Sequence, residues 1–127
     1  MDVVVKRWLD WWNTGDVAFA DELYAPDYHR HGTDGASDAP ATRALVTMYR
    51  SAFPDLRFDV EDTITEGDRV AVRWWGTGTH RGALRGLEPT GRSIAMRGCD
   101  ILRVQGDRLV ESWALYDRME LMSQLQG

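Results

Sequence analysis

The sequence predicts an α+β fold in which N-terminal helices precede antiparallel strands. Apolar residues recur at helical spacings of three and four up to about residue 53, and they alternate with polar residues from residue 56 onward. Gly-Asp pairs at 67–68 and 106–107 mark tight hairpin turns between strands. Helices first and strands afterwards are the order typical of α+β proteins.

Three helices are expected before the strands. The first ends at Asn13–Gly15, and a short second helix begins after Asp16 and is closed by Pro26. The third runs from about Ala39 to Phe53. Residues 32–38 between the second and third helices are expected to be a loop, because Gly, Thr, Asp and Ser dominate them.

Four strands and a final helix are expected in the second half. The first strand starts at Leu56 and ends at the turn at 67–68. The others, separated by a long loop from Arg81 to Gly91 and by the second turn, are Val70–Thr79, Ile94–Val104 and Leu109–Tyr116. A short helix from Arg118 to Leu125 follows them.

Length and composition predict one folded domain over residues 1–127. The chain is 43% hydrophobic and 28% charged, which is a folding composition. A net charge of −5 argues against a nucleic-acid partner, and no apolar run approaches the length of a membrane span. The single cysteine, Cys99, suits a reducing compartment, so a cytoplasmic location is expected.

Two-residue turns at 67–68 and 106–107 also predict how the strands pair. They place Val60 opposite Trp75 and Asp100 opposite Trp113. Trp74 then joins an apolar stripe on the opposite, convex face, which is a candidate dimer interface. The other face gathers aromatic, aliphatic and charged side chains, as a binding site would: Phe58, Val60, Trp75, Met96 and Trp113 with Asp62, Arg73, Asp100 and Asp117.

Several segments resemble the SnoaL-like polyketide cyclase family of the NTF2-like superfamily. They occur in the family's order and cover nearly the whole chain: Trp12–Asp16, Tyr24–Tyr28, Phe53–Leu56, Gly78–Gly82, Pro89–Arg92 and Glu111–Asp117. The resemblance implies a cone, in which three N-terminal helices pack on a curved antiparallel sheet and enclose a pocket. It also implies a homodimer formed through the sheet. The family's characterised cyclases close a polyketide ring by intramolecular aldol condensation without a metal or cofactor.

Asp117 is the first candidate for a catalytic acid/base group. The resemblance implies this role, because the family's catalytic aspartate stands at the end of the last strand, where Asp117 stands here. A carboxylate in an apolar, Trp-lined pocket has a raised pKa, which suits it to proton transfer. The alternative is a structural one, since Asp117 also occupies an ordinary N-cap position before the last helix.

Asp100 and His31 are the other catalytic candidates. Asp100 would be a second acid/base group, or would bond a neighbouring backbone group. The resemblance implies that His31, which follows the Tyr24–Tyr28 turn, polarises a carbonyl at the pocket mouth; the alternative is a hydrogen bond that anchors its loop. Arg73 would hold a substrate oxygen, or would form a structural ion pair with Asp62. The proposed substrate-binding walls are four apolar side chains, Phe58, Trp75, Met96 and Trp113.

Neither a metal nor a cofactor is expected. His29 and His31 lack a third ligand at a spacing known for zinc, and His80 is expected to be structural. The glycines at Gly76–Gly78 are not followed by a nucleotide-binding helix and a downstream acid.

The sequence therefore favours a cofactor-independent acid/base enzyme. The expected partner is a small, apolar, oxygenated, polyketide-like molecule that undergoes aldol-type ring closure or a related isomerisation. One alternative is an epoxide hydrolase of the same fold, in which relatives use an Asp–Arg–Asp set to activate water. The residue types for such a set are supplied here by Asp62, Arg73, Asp100 and Asp117. Another is a non-catalytic module for small-ligand binding or dimerisation.

Overall fold

A computed structural model of the protein describes residues 2–35 and 37–126, so Met1, Ala36 and Gly127 of the predicted domain and loop lie outside it. Four helices occur in these residues: Asp2–Thr14 (α1), Val17–Leu23 (α2), Ala39–Ala52 (α3) and Arg118–Gln126 (α4). Five strands occur with them: Tyr24–Gly32 (β1), Arg57–Glu66 (β2), Arg69–Thr79 (β3), Ser93–Gln105 (β4) and Arg108–Tyr116 (β5). No helix of the described chain is long and apolar enough to cross a membrane.

The predicted α+β class is confirmed, but the sheet is mixed because it contains a strand that the sequence did not predict. The strand order is β1-β5-β4-β3-β2, and β1 runs parallel to β5 at one edge. The sequence did not predict this strand because it contains Pro26, and proline has no backbone N–H to donate to the hydrogen bonds of a sheet. The register is interrupted between Tyr24 and His29, so the edge strand accommodates Pro26 outside the ladder.

Two irregularities in the sheet change which side chains face the helices. The β2–β3 register slips between Val60 and Asp62, so Val60 pairs with Trp74 and not with Trp75. A slip of one residue moves side chains to the opposite face of a strand. The predicted pairing of Val60 with Trp75 is therefore wrong: Trp74 is buried on the inner face, and Trp75 lies on the outer face under the Arg97 guanidinium.

A second irregularity has the same effect on the last strand. The β4–β5 register slips between Arg103 and Val104, so Asp100 pairs with Ala114 instead of Trp113. Trp113 consequently lies on the outer face, where its ring stacks on that of His31. The predicted apolar stripe around Trp74 on the convex face is also wrong, because that side chain belongs to the core.

The helices cover the inner face of the sheet and close the core. Trp8, Trp11 and Trp12 of α1 are buried there, as predicted for the helix-to-sheet core. The Asn13 side chain ties the end of α1 to edge strand β2, because it donates to the Phe58 carbonyl (3.0 Å) and accepts from the Phe58 amide (2.7 Å). These bonds hold the α1 aromatic side chains against Phe58.

Gly98 provides a stability test of the inner face. A Cβ atom at this position would lie 2.2 Å from Cζ2 of Trp74 and 2.8 Å from the Leu115 carbonyl oxygen. We expect Gly98→Ala to lower the free energy of unfolding by about 1–3 kcal/mol, as overpacking does in a dense core. Urea denaturation measures this loss. The double variant with Trp74→Phe should lose less free energy of unfolding than the sum of the two single losses, because the smaller phenylalanine ring leaves room for the new methyl group. Additive losses would contradict the packing explanation.

Candidate active site

Five aromatic side chains form a closed ring between the helices and the inner face of the sheet. Neighbouring ring centroids are 4.6–6.2 Å apart around the circle Trp12, Phe58, Trp74, Tyr116 and Tyr49. They enclose a narrow hollow, which is also lined by Trp8, Arg30, Met96 and Asp100. The hollow has a volume of about 20 Å³, which is room for one or two waters.

Asp100 is the carboxyl group of this hollow. It is 6% exposed, and its Oδ1 accepts a hydrogen bond from Nε1 of Trp74 at 2.9 Å. Burial raises the pKa of Asp100 to about 6, against the opposing effects of the Trp74 hydrogen bond and the Arg30 charge. Asp100 therefore takes up and releases a proton close to neutral pH.

A buried ion pair continues the polar part of the site. The guanidinium of Arg30 holds both carboxylate oxygens of Asp34, with Nη2 2.9 Å from Oδ2, and the two side chains are 4% and 0% exposed. The Tyr116 hydroxyl donates to Oδ2 of Asp34 at 2.8 Å, and the Tyr49 hydroxyl lies 2.9 Å from that of Tyr116. Because the Tyr116 proton is used on Asp34, Tyr49 is the donor in the second bond.

Tyr49 and Tyr116 also form the boundary between the hollow and an open groove of about 920 Å³. The groove lies between the end of β5, α4 and the turn at 84–87. Its walls are mainly apolar, with two guanidinium groups and one carboxylate among them: Leu84, Leu115, Leu121 and Met122 with Arg85, Arg118 and Asp117. A small ligand in this groove would contact the two tyrosine rings.

Asp117 does not lie in the aromatic hollow. It is exposed, and its Oδ1 accepts a hydrogen bond from the Glu120 amide at 3.0 Å at the start of α4. The expectation that its side chain faces a dry, Trp-lined space is therefore wrong. The structural alternative, an N-terminal helix cap, is the arrangement that the structure shows.

Arg73 and His31 also lie outside the hollow. Arg73 pairs with Asp62 on the outer face, with Nη2 2.7 Å from Oδ2, and also with Glu61, so the structural alternative again holds. Nε2 of His31 lies 2.7 Å from Oε2 of Glu111, and the His31 side chain is 43% exposed.

The hollow does contain three residues that the sequence predicted for the site. Phe58 and Met96 line it, as does Asp100. Trp75 and Trp113 do not, for the reasons of register given above. The residues that sequence reasoning missed are Trp74, which was assigned to the wrong face, and the polar group of Arg30, Asp34, Tyr49 and Tyr116.

Trp74 should hold the pKa of Asp100 down through its indole N–H. Trp74→Phe keeps an aromatic ring but removes the donor to the Asp100 carboxylate, so the pKa of Asp100 should rise above about 6. The carboxyl carbon signal of Asp100 in a pH titration by NMR measures this shift. Trp75→Phe on the outer face is the matched control, and an equal shift in both variants would contradict a direct effect of the Trp74 hydrogen bond.

The described residues thus form a small α+β fold, with helices on one face of a five-stranded sheet and, in an aromatic hollow between them, a buried carboxyl group whose pKa is about 6. The family model for SnoaL-like polyketide cyclase matches residues 2–125. The chain therefore belongs to the SnoaL-like polyketide cyclase family, with the NTF2-like fold. No curated protein matches the sequence.

Solved structures agree with this assignment. AclR from Streptomyces galilaeus, a proposed hydroxylase, is 27% identical with a TM-score of 0.88 over 98% of this chain and 80% of its own. IdmH from Streptomyces antibioticus, a proposed polyketide cyclase, is 29% identical with a TM-score of 0.86 over 98% and 96%. A proposed polyketide cyclase from Acidithiobacillus ferrooxidans is also 29% identical, with a TM-score of 0.86 over 98% and 92%.

Proposed function

We propose that the protein is an acid/base enzyme that acts on an apolar, oxygenated, polyketide-like molecule, with Asp100 as the group that moves the proton. The observation that carries this proposal is the position of Asp100, which is buried and hydrogen-bonded to Trp74, and whose pKa is raised to about 6 by burial. A carboxyl group with such a pKa works as a base and as an acid near neutral pH. Membership of a polyketide cyclase family supports the substrate class.

Ring closure by an aldol reaction needs three actions, and the hollow offers a group for each. Asp100 removes the proton α to a carbonyl, and the new carbon nucleophile attacks a second carbonyl of the same molecule. Arg30 lines the hollow and supplies positive charge that stabilises the enolate oxygen. The protonated Asp100 then returns its proton to the new alkoxide, so that no metal or cofactor is required.

The substrate enters from the groove in this proposal. The hollow has room for one or two waters, so a substrate ring reaches Asp100 only when side chains of the aromatic ring move apart. Tyr49 and Tyr116 contact both the hollow and the groove, which makes them the side chains that move. The apolar walls of the groove hold the rest of the molecule.

Exchange of the α-proton tests the proposal without knowledge of the full substrate. 2-Tetralone in D₂O loses its α-protons when a base removes them, and NMR follows the replacement by deuterium. We expect the protein to accelerate this exchange and Asp100→Asn to lose the acceleration. If Asp117→Asn lost the exchange and Asp100→Asn did not, Asp117 would be the base, as the sequence predicted, and the proposal for Asp100 would be wrong.

Epoxide hydrolysis is the second candidate, and the placement of Arg30 favours it. Arg30 interacts electrostatically with both Asp34 and Asp100, which gives a buried Asp–Arg–Asp set beside space for a water. One carboxylate would activate that water, and the protonated Asp100 would donate to the epoxide oxygen as the ring opens to a diol. Diol formation from limonene oxide with uptake of ¹⁸O from labelled water, in the absence of α-proton exchange, would select this function. If the protein bound 2-tetralone and limonene oxide but catalysed neither α-proton exchange nor diol formation, it would be a non-catalytic ligand-binding module.

We also propose that the outer face of the sheet forms a homodimer. An apolar cross-strand row crosses this face through four strands, Ile64, Ala71, Ile101 and Trp113, with Ile64 70% exposed. Burial of this row against a second copy would remove it from water. We expect Ile101→Lys to convert a dimer to a monomer in light scattering after size exclusion. Val17→Lys, which alters an exposed apolar residue on α2, should leave the dimer intact; a wild-type monomer would contradict the proposal.

A further inference from the structure

The turn between Leu84 and Leu87 carries an arginine in a backbone conformation that arginine rarely adopts. Arg85 has φ +48° and Gly86 has φ +85°, and the Leu84 and Leu87 backbones exchange two hydrogen bonds of 2.9 and 2.8 Å. Two-residue turns with both φ values positive favour Asn-Gly, because a left-handed conformation strains longer side chains. Asparagine would adopt this left-handed conformation with less strain than arginine does. The presence of arginine at this position therefore indicates a function for its side chain.

A second arginine lines the same groove. Arg118 is the first residue of α4 and lines the groove with Arg85. Burial raises the pKa of the Tyr49 hydroxyl, and both arginine charges oppose that rise, so both charges act on a residue that also lines the groove. Neither guanidinium has an ion-pair or hydrogen-bond partner among residues 2–35 and 37–126.

We infer that Arg85 and Arg118 bind a carboxylate of the ligand at the mouth of the groove, so that the substrate is an apolar acid and not its ester. Guanidinium groups present paired N–H donors that match a carboxylate, and an ester offers them no charge. This inference rests on the proposed function for the role of the groove as the entrance to Asp100. It adds the chemical group by which the substrate is recognised.

The charges of the groove select a carboxylate over a phosphate. Asp117 lines the same groove, so its carboxylate offsets one of the two guanidinium groups. The remaining single positive charge matches a monoanion. A dianionic phosphate would in addition approach a chain whose net charge is −5.

Calorimetric titration with 2-naphthoate and with methyl 2-naphthoate tests this inference. We expect the acid to bind about tenfold more tightly than the ester, with an advantage that falls as sodium chloride is added. The double variant Arg85→Asn/Arg118→Gln should bind both compounds equally. Asparagine suits the turn, so thermal unfolding of the single Arg85→Asn variant should show no loss of stability.

Arg81→Gln is the matched control, because Arg81 is exposed on the same loop but does not line the groove. It should keep the preference for the acid. Equal binding of acid and ester by the wild-type protein would overturn the inference, as would an unchanged preference in the double variant or tighter binding of phenyl phosphate. Asp100→Asn should keep naphthoate binding, so loss of proton transfer and loss of carboxylate recognition are distinguishable results.

Discussion

Asp100→Asn is expected to abolish proton transfer and, at the same time, to make the folded protein more stable at pH 8. Asparagine cannot accept the substrate proton, and loss of a general base typically lowers a rate by about 10²–10⁴. The replacement has nearly the same shape, and its Oδ1 still accepts the Trp74 hydrogen bond. A loss of α-proton exchange without loss of folding is therefore the expected result.

The gain in stability follows from the raised pKa of Asp100. Its pKa is about 6 in the folded protein and about 3.9 in an unfolded chain. Between these values the folded state binds more protons than the unfolded state, so the free energy of unfolding falls as the pH rises from 4 to 6. Above pH 6 the ionised, buried Asp100 carboxylate lowers the free energy of unfolding by about 3 kcal/mol relative to its value below pH 4.

Urea denaturation at pH 4 and pH 8 measures this effect. The wild type and Asp100→Asn should differ least at pH 4, where both side chains are neutral. The variant should then gain up to about 3 kcal/mol relative to the wild type at pH 8. Asp38→Asn, which exchanges one good cap of α3 for another, should change the free energy of unfolding little at either pH. A variant that loses more stability at pH 8 than at pH 4 would show that the Asp100 carboxylate is stabilised in the fold.

Local patterns in the sequence were sufficient for the helices and for the four strands β2 to β5, but not for the faces of those strands. Alternation and Gly-Asp turns predicted both hairpins, and the pairs nearest the first turn, such as Asp62 with Arg73, are confirmed. Each hairpin then contains an irregularity that no local pattern signals. Because one slipped residue reverses the face of every later side chain, Trp75 was predicted in place of Trp74.

The polar part of the site could not be predicted for a different reason. Arg30 and Asp34 lie on either side of the end of β1, a strand that Pro26 made unrecognisable. Asp34 meets Tyr116 across 82 positions of sequence, and only the parallel pairing of β1 with β5 brings them together. Non-local contacts of this kind depend on strand order, which propensity and periodicity do not contain.

Arg30→Met is expected to destabilise the protein by about 3–5 kcal/mol. The variant leaves the Asp34 carboxylate without its bidentate partner in a position where the side chain is 0% exposed. Removal of one member of a buried ion pair costs this much, because the remaining charge has lost both water and its counter-ion. Urea denaturation at pH 7 measures the loss, and a cost below about 1 kcal/mol would indicate that water reaches Asp34.

A double-mutant cycle separates the cost of the orphaned charge from the cost of lost packing. Asp34→Asn keeps an acceptor for the Tyr116 hydroxyl, so the double variant with Arg30→Met contains neither charge and retains that hydrogen bond. It should be more stable than Arg30→Met alone, since the uncompensated carboxylate is gone. A double variant as unstable as the sum of the two single losses would assign the effect of Arg30 to packing.

The same arginine links the stability of the fold to its chemistry. Its charge lowers the pKa of Asp100, so in Arg30→Met that pKa should rise above about 6 and the pH at which α-proton exchange becomes half-maximal should rise with it. Arg73→Met removes an exposed arginine of the outer face and should leave this midpoint unchanged. An unchanged midpoint in Arg30→Met, measured on the folded fraction, would show that Arg30 does not act on Asp100. A raised midpoint would show that the Arg30 charge lowers the pKa of the Asp100 carboxyl group, while the ion-pair partner of Arg30, Asp34, accepts the Tyr116 hydrogen bond that joins the end of β1 to β5.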